Sequence, residues 1–396
     1  MPSELPPSSP SRFRRAKNLV FSLEDEELVD IEKLLRGEIA TRKGSVIKAR
    51  SARGAKLVQL TPQQFAFLGR LSADDPTAVT DTDLALVEPL LQAGLIVAVD
   101  DGPDEDAEIS RAGWHPAAAV FHATMRAEAR SPKARIDFHG LVADLDSMFT
   151  KLVAQHGEPP PAFYERDDRQ QRIPLPSEHA DSSLSSLLSR RTTVRDFDRT
   201  RAMTLEQLAT LVHQVWGCHG VSRFADVTLL RRTSPSGGSL HSVEVYPVVL
   251  RVAGLASGIY HYNAERHALD QLKTVNREDL EQLVSEVGVG QHWMADASVV
   301  FVMTARFPRS YWKYPKSARA FGVVLMDVGH LGQTFYLSAT EQGFGAFFSA
   351  AIDPRRLDVE LDLDGFSEGP IAVCGAGFPA TEQPLAKPYV SFDRSS

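Results

Sequence analysis

Ser189-Arg-Arg-Thr-Thr-Val-Arg-Asp-Phe-Asp198 is the stretch on which the reading of this chain turns. It sets two guanidinium groups, Arg191 and Arg195, four positions apart, with the hydroxyls of Thr192 and Thr193 between them. Guanidinium forks match phosphate oxygens in a bidentate way, and small hydroxyls complete the shell of donors around them. Placed where a chain enters a helix, such a cluster makes a seat for a phosphorylated cofactor. Taken alone the segment also reads as a solvated basic turn, because short motifs recur by chance. The segments downstream decide between the two.

Working outward, the totals describe ordinary globular material. The chain has 396 residues, 43% of them hydrophobic and 24% charged, enough for two to three domains with sizeable cores. A net charge of -8 argues against nucleic acid as a partner, since such binders carry a basic face. Two cysteines, Cys218 and Cys374, exclude a disulfide scaffold and fit a reducing, cytoplasmic setting. Cys218 and His219 are adjacent, but two ligands do not make a metal site. The Pro- and Ser-rich start has no apolar core of a signal peptide and reads as a tail over residues 1–16. The longest apolar run, Phe321 to Leu337, contains Asp327, His330 and Gln333, which speaks against a membrane span.

Three further parts follow the tail. Residues 17–108 begin with a strand-like Asn18 to Ser22 and an acidic helix candidate from Asp25 to Leu35. Lys56 to Leu60 reads as a strand, and Thr61-Pro62 opens a helix. Asp83 to Gln92 reads as a helix closing at Gly94, before the apolar strand Leu95 to Val99 and an acidic linker, Asp100 to Glu108. Helix, helix ending in glycine, then strand is the pattern of a small winged-helix module. Residues 109–181 form a helical connecting region, with helices expected over Trp114–Arg130 and Asp144–His156 and an extended or lid-like connection from Phe163 to Pro176.

Residues 182–396 carry the clearest pattern. Thr204-Leu-Glu-Gln207 is a capping box, and Leu208, Leu211, Val212, Val215 and Trp216 repeat on one helical face. Val243–Val252, Ser298–Thr304 and Pro370–Cys374 read as strands, and Gly258–Tyr262 with His267–Leu272 as a hairpin. Ala318 to Gln342 reads as a helix apolar nearly all round, hence buried on every side, in the core or at a subunit interface. Gly375-Ala-Gly-Phe-Pro-Ala380 formally fits a dinucleotide-binding pattern. Pro379 and the short remaining chain make it a strand end instead.

Four segments in this order resemble the nitroreductase superfamily of FMN-dependent oxidoreductases: Arg190–Phe197, Ser234-Pro-Ser-Gly-Gly-Ser-Leu-His241, Asp327-Val-Gly-His-Leu-Gly-Gln333 and Gly343–Asp353. Gly258-Ile-Tyr-His-Tyr262 and Tyr311-Trp-Lys-Tyr314 resemble the SagB-type dehydrogenases of ribosomal peptide natural products (RiPPs). Trp114-His-Pro116 is similar to a segment of their peptide maturation dehydrogenase group. The resemblance implies an α+β fold, with a central, mostly antiparallel sheet flanked by helices, in an obligate homodimer whose subunits together build each FMN site. It implies that Arg191 and Arg195 hold the FMN phosphate and that Thr192 and Thr193 contact phosphate or ribityl oxygens. Pro235, Ser236, Gly237 and Gly238 would bring backbone against the flavin, where a Cβ would push the ring away. Gln333 and the run Gly345, Ala346, Ser349, Ala350, Ala351 would border it. Ala350 and Ala351 stand where many relatives have Glu-Gly.

The same resemblance makes Lys313 and Tyr314 the expected proton handlers of azoline oxidation, with Lys316 as rival. A lysine serves as base when burial or a neighbouring cation lowers its pKa, and Lys316 and Arg319 could supply that field; a solvent-facing basic loop is the plainer reading. The expected activity is dehydrogenation of a modified precursor peptide, azoline to azole. Reduction of dehydroamino acids, a peptide-recruiting scaffold and a generic nitro- or quinone-reductase are the alternatives. Other peptide-modifying enzymes are expected partners; nucleic acid and membrane are not.

Overall fold

The computed structural model describes residues 12–29, 33, 35–38, 40–54, 56–98, 105–128, 145–163, 171–173, 175 and 182–380. The chain divides into two compact units, one drawn from residues 1–131, 305–325 and 354–369, the other from 132–304, 326–353 and 370–396.

In the first unit, β1 (Arg12–Arg15) lies between β5 (Thr77–Ala78) and β6 (Ile96–Ala98), antiparallel to both. β2 (Leu19–Val29), β3 (Thr41–Ser51) and β4 (Val58–Leu60) form a second antiparallel sheet. Helix α1 (Pro62–Arg70) starts where the sequence places it. Thr61 accepts the Gln64 N–H, and the Gln64 side chain returns to the Thr61 N–H, satisfying two otherwise orphaned donors. Helix α2 (Leu84–Gln92) ends before Gly94, whose φ of +65° suits glycine. Phe13, Phe67, Leu68, Leu90 and Leu95 are packed between these elements. Helices α3 (Glu105–Arg111), α4 (Pro116–Glu128), α9 (Phe307–Lys313) and α11 (Pro354–Leu361) belong to the same unit.

The second unit holds most of a six-stranded sheet in the order β13-β12-β10-β14-β16-β15. The strands are β10 (Val243–Val249), β12 (Gly258–Asn263), β13 (Ala268–Thr274), β14 (Val299–Arg306), β15 (Gly345–Ser349) and β16 (Glu368–Gly377). The pairs β10–β12, β12–β13 and β15–β16 are antiparallel. Short β7 (Met203–Thr204) and β11 (Val252–Ala253) pair in parallel, and β8 (Gly220–Phe224) with β9 (Val227–Arg231) makes a hairpin. Around them run α5 (Leu145–His156), α6 (Ser183–Arg190), α7 (Leu205–Trp216), α8 (Arg277–Val287) and α10 (Ala318–Glu341), which crosses the division. The capping box at Thr204 and Gln207 opens α7, and its predicted face is wholly buried. Leu208, Leu211, Val215 and Trp216 pack with Val245, Phe301, Phe335 and Cys374, each contributing roughly 1.5–3 kcal/mol by leaving water.

The fold is α+β, and several local expectations are corrected. Asp25–Leu35 is not one helix: residues 25–29 continue β2, paired residue for residue with 41–45 of β3, and of the expected helix only Lys33 and Leu35 are described as helical. Lys48 sits 2.7 Å from Glu24 and 2.5 Å from Glu26, so cross-strand charge pairing takes residues that favour helices and uses them in a sheet. Arg12–Arg15, assigned to the tail, are β1, and Glu105–Glu108 of the acidic linker begin α3. The strand expected over Val243–Val252 breaks after Val249. Within the single chain, helix α10 leaves Met326, Gly329, His330 and Gln333 exposed, so core packing alone does not cover it. Most of the extended connection from 163 to 176 lies outside the described residues, and no described helix is long and apolar enough to cross a membrane.

Candidate functional site

Arg191 closes α6 rather than opening a helix, its N–H donating to Leu187 O at 3.2 Å. The expected helix entry is therefore corrected: the positive charge here comes from guanidinium groups, without a helix N-terminus behind them. Past Arg191 the chain is extended, and Thr193 bridges Ala346 of β15 in parallel, with Val194 N–H donating to Ala346 O at 2.9 Å. Gly345 makes this approach possible, because a Cβ there would lie 2.7 Å from Val194 Cγ1. Thr193 Oγ1 is 3.0 Å from the Tyr336 hydroxyl of α10. The Arg191 guanidinium lies 5.1 Å from the Tyr336 ring centre, and that of Arg195 lies 5.6 Å from the Trp293 ring centre. Both arginines are half-buried and Thr192 is exposed. A ring face beside a guanidinium favours its position through the ring's quadrupole.

The turn at 235–238 is held from α10 as well. Ser236 donates to Asp327 at 2.5 Å and accepts the His241 N–H at 2.9 Å, while the Gly237 N–H donates to Asp327 at 3.1 Å. Ser234 Oγ is 2.7 Å from Thr334 Oγ1. Gly238 has φ +66°, and Ser239 and His241 are also left-handed at +56° and +45°, so the loop stores strain that these bonds hold in place. Burial pushes the Asp327 carboxyl above its ordinary range, against the Ser236 and Gly237 bonds and the nearby His330. Asp327 is a candidate site residue that the cofactor contacts expected from the sequence do not include. Its signal in the sequence is a lone acid in an apolar helix. Pro235 is exposed, as is Gln333, the residue before Thr334.

Beyond β15, the buried Gln291 carries the load. Its amide nitrogen lies 3.1 Å from Gly288 O, 3.2 Å from Ser349 Oγ and 3.0 Å from Ala351 O. The Ala351 N–H in turn donates to Ser349 Oγ, which fixes the bend at Ala350 and Ala351, both exposed. Gln291 too is missing from the sequence-derived set. Nothing in its neighbourhood along the chain marks it.

The structure thus gathers Arg191, Thr193, Ser236 and Gly237 against residues 327–336 of α10, and sets Gly345 and Ala346 beside the arginine segment. Lys313, Tyr314 and Lys316 belong to the other unit. Lys313 ends α9 with its ammonium 5.7 Å from the Tyr314 ring centre. Tyr314 N–H donates to Ser310 O and Lys316 N–H to Gly113 O. All three are exposed, so burial within the chain does not desolvate them.

The residues of the second unit fit a flavin mononucleotide. Two oriented guanidinium groups and threonine hydroxyls suit a phosphate dianion. Gly345 leaves no room for a side chain where two backbones approach, and the glycine turn pinned by Asp327 presents backbone without Cβ.

Residues 188–378 match the Nitroreductase family, so this stretch is a nitroreductase-family domain. The chain is 29% identical over 162 residues to a nitroreductase-type protein of Methanocaldococcus jannaschii, covering 41% of this chain and 75% of that one. It is 30% identical over 151 residues to the trifolitoxin-processing protein TfxB of Rhizobium leguminosarum bv. trifolii, covering 37% of this chain and 40% of that protein. Among solved structures, a nitroreductase from Ralstonia eutropha is 21% identical with a TM-score of 0.41, over 53% of this chain and 89% of that one. The E. coli microcin synthetase complex with a truncated pro-microcin bound contains a chain 20% identical at TM-score 0.41, over 64% of this chain and 95% of that one.

Proposed function

We propose that this protein is an FMN-dependent dehydrogenase that matures a ribosomally made peptide, turning azolines into azoles. The observation that carries the cofactor is the extended Arg191-to-Arg195 segment bridged to Ala346 at Thr193 inside a nitroreductase-family domain. The peptide substrate rests on the similarity to a trifolitoxin-processing protein, which covers 40% of that relative.

Bound FMN would supply a two-electron acceptor for the substrate's hydride, with dioxygen as the terminal oxidant. Arg191 and Arg195 would neutralise its phosphate, with Thr192 and Thr193 donating hydroxyls to the remaining oxygens. Asp327 and Gln291 act one step back, holding the 235–238 turn and the Ser349–Ala351 bend in shape. Lys313, Tyr314 or Lys316 would remove the Cα proton of a thiazoline or oxazoline, so that loss of a proton and a hydride leaves an aromatic ring. The N-terminal sheet β2-β3-β4 is proposed as the place where the peptide docks, by adding a strand to an exposed edge. A homodimer completes the site in this reading, its contact made by the exposed Met326–Gln333 face of α10.

The test is direct. Arg191→Ala with Arg195→Ala should yield a colourless protein from a yellow parent, and full flavin occupancy in the double variant would refute the phosphate assignment. Mass spectrometry of a co-expressed precursor peptide should show a loss of about two mass units per ring. A gain of about two would replace dehydrogenation with reduction of dehydroamino acids.

A further inference from the structure

Helix α4 and the turn before it do more than cover the first unit. Trp114, 3% exposed, is ringed by aromatic side chains from two distant stretches of the chain. Its ring centre lies 4.5 Å from Phe307, 5.0 Å from Tyr311, 5.4 Å from Phe321 and 5.9 Å from Phe366. Its indole N–H donates to Phe366 O at 2.9 Å. His122 stacks on it as well, at 5.1 Å and 22°. The residue before it is as constrained. Gly113 sits at φ +81°, and a Cβ there would lie 3.1 Å from Tyr311 Cβ. Its carbonyl accepts the N–H of Lys316 at 3.0 Å.

Lys316 itself is left-handed at φ +53°, a conformation that a lysine keeps only when its surroundings hold it there. The bonds from Tyr314 N–H to Ser310 O and from Ser317 N–H to Tyr314 O close the loop between α9 and α10. Gly113 and Trp114 therefore grip this loop at both ends: Trp114 packs on Tyr311 at its start, and Gly113 O bonds Lys316 near its end.

We propose that Gly113 and Trp114 are positioning residues for the proton-handling loop Lys313-Tyr314-Pro315-Lys316, so that the N-terminal part of the chain sets the geometry of turnover. The proposal rests on the reading of that loop given above. Neither residue touches the reacting atoms, and both act through the loop's backbone.

The test uses the full-length flavoprotein and a synthetic peptide carrying one thiazoline, with dioxygen as oxidant. Trp114→Phe keeps a ring in the cluster but loses the bond to Phe366 O. Gly113→Ala adds the Cβ that meets Tyr311. Both should retain flavin and stay folded at the assay temperature, with Tm lowered by the strain at Gly113 or the cavity at Trp114. Both should speed hydrogen exchange at the Lys316 amide, and both should lower kcat by about 10- to 100-fold with KM within a factor of about two. Trp114→Ala should be worse than Trp114→Phe on every count. Faster exchange with parental kcat would overturn the positioning role, and unchanged exchange would overturn the clamp itself. Lys313→Ala, Tyr314→Phe and Lys316→Ala, measured alongside, test the underlying reading separately: parental kcat in all three sinks the loop as proton handler. A parent that never oxidises the thiazoline sinks the azoline chemistry, while the exchange data still decide the clamp.

Discussion

His122 offers a quantitative test of the packing around Trp114. The imidazole is 2% exposed, with Nε2 2.9 Å from Gly365 O. A carbonyl only accepts, so Nε2 carries a proton, and it is burial that disfavours a second proton on Nδ1. Burial, with a smaller contribution from the Arg126 guanidinium, lowers its pKa from 6.5 to about 3, against the bond to Gly365. In the folded chain the ring stays neutral, whereas in the unfolded chain it takes up a proton once pH falls below 6.5. The stability it contributes is complete above that value and drains away as pH falls toward the folded pKa. From pH 7 to pH 5 the linkage integral for these two values is about 2 kcal/mol, or a fall in Tm of about 4–8 °C for a unit of this size. Urea unfolding of the parent and of His122→Gln at pH 7, 6 and 5 isolates it, since every carboxylate titrates in both. The parent should lose about 2 kcal/mol more than the variant between the extremes. Superimposable pH dependences would show that His122 is not held neutral, and with it the tight packing of α4 against Trp114 would fall.

Two further outcomes are expected. Gly345→Ala forces a methyl to within 2.7–2.9 Å of three Val194 side-chain atoms, so it should cost about 1–3 kcal/mol in thermal unfolding and weaken flavin retention, whereas Gly322→Ala, with open space around it, should stabilise α10 or leave it unchanged. A fluorescent leader segment of a precursor peptide should bind the full chain in a polarisation assay, and equal binding by a chain lacking residues 1–100 would remove docking from the N-terminal sheet.

Much of the framework is legible because it is written locally. Thr61 with Gln64 and Thr204 with Gln207 start helices by bonds that span three residues, and the hairpin at 258–274 declares itself by alternation and its turn. The acidic run 25–29 misleads for the opposite reason: its partners, among them Lys48, sit on a strand reached only after the chain turns back. The candidate site divides in the same way. Arg191, Thr193, Gly237 and Gly345 belong to short motifs that a phosphate or a close backbone approach demands. Asp327 meets Ser236 across 91 positions, Gln291 meets Ser349 across 58, and Trp114 meets Phe366 across 252. Those contacts exist only once the fold does.

That division has a physical consequence for how the site tolerates change. The arginines lie half-buried beside aromatic rings, so under the proposed function losing one would weaken phosphate binding at little cost to the core. Asp327 is different. It is buried, and its two donors are a hydroxyl and a backbone N–H in a loop with three left-handed residues. Removing its oxygens leaves those donors unsatisfied and releases the strain they restrain, so the turn deforms before any cofactor arrives. The motif that the sequence displays is the part proposed to meet the ligand, and the residue that keeps the 235–238 turn in shape lies on another element, where only the three-dimensional arrangement reveals it.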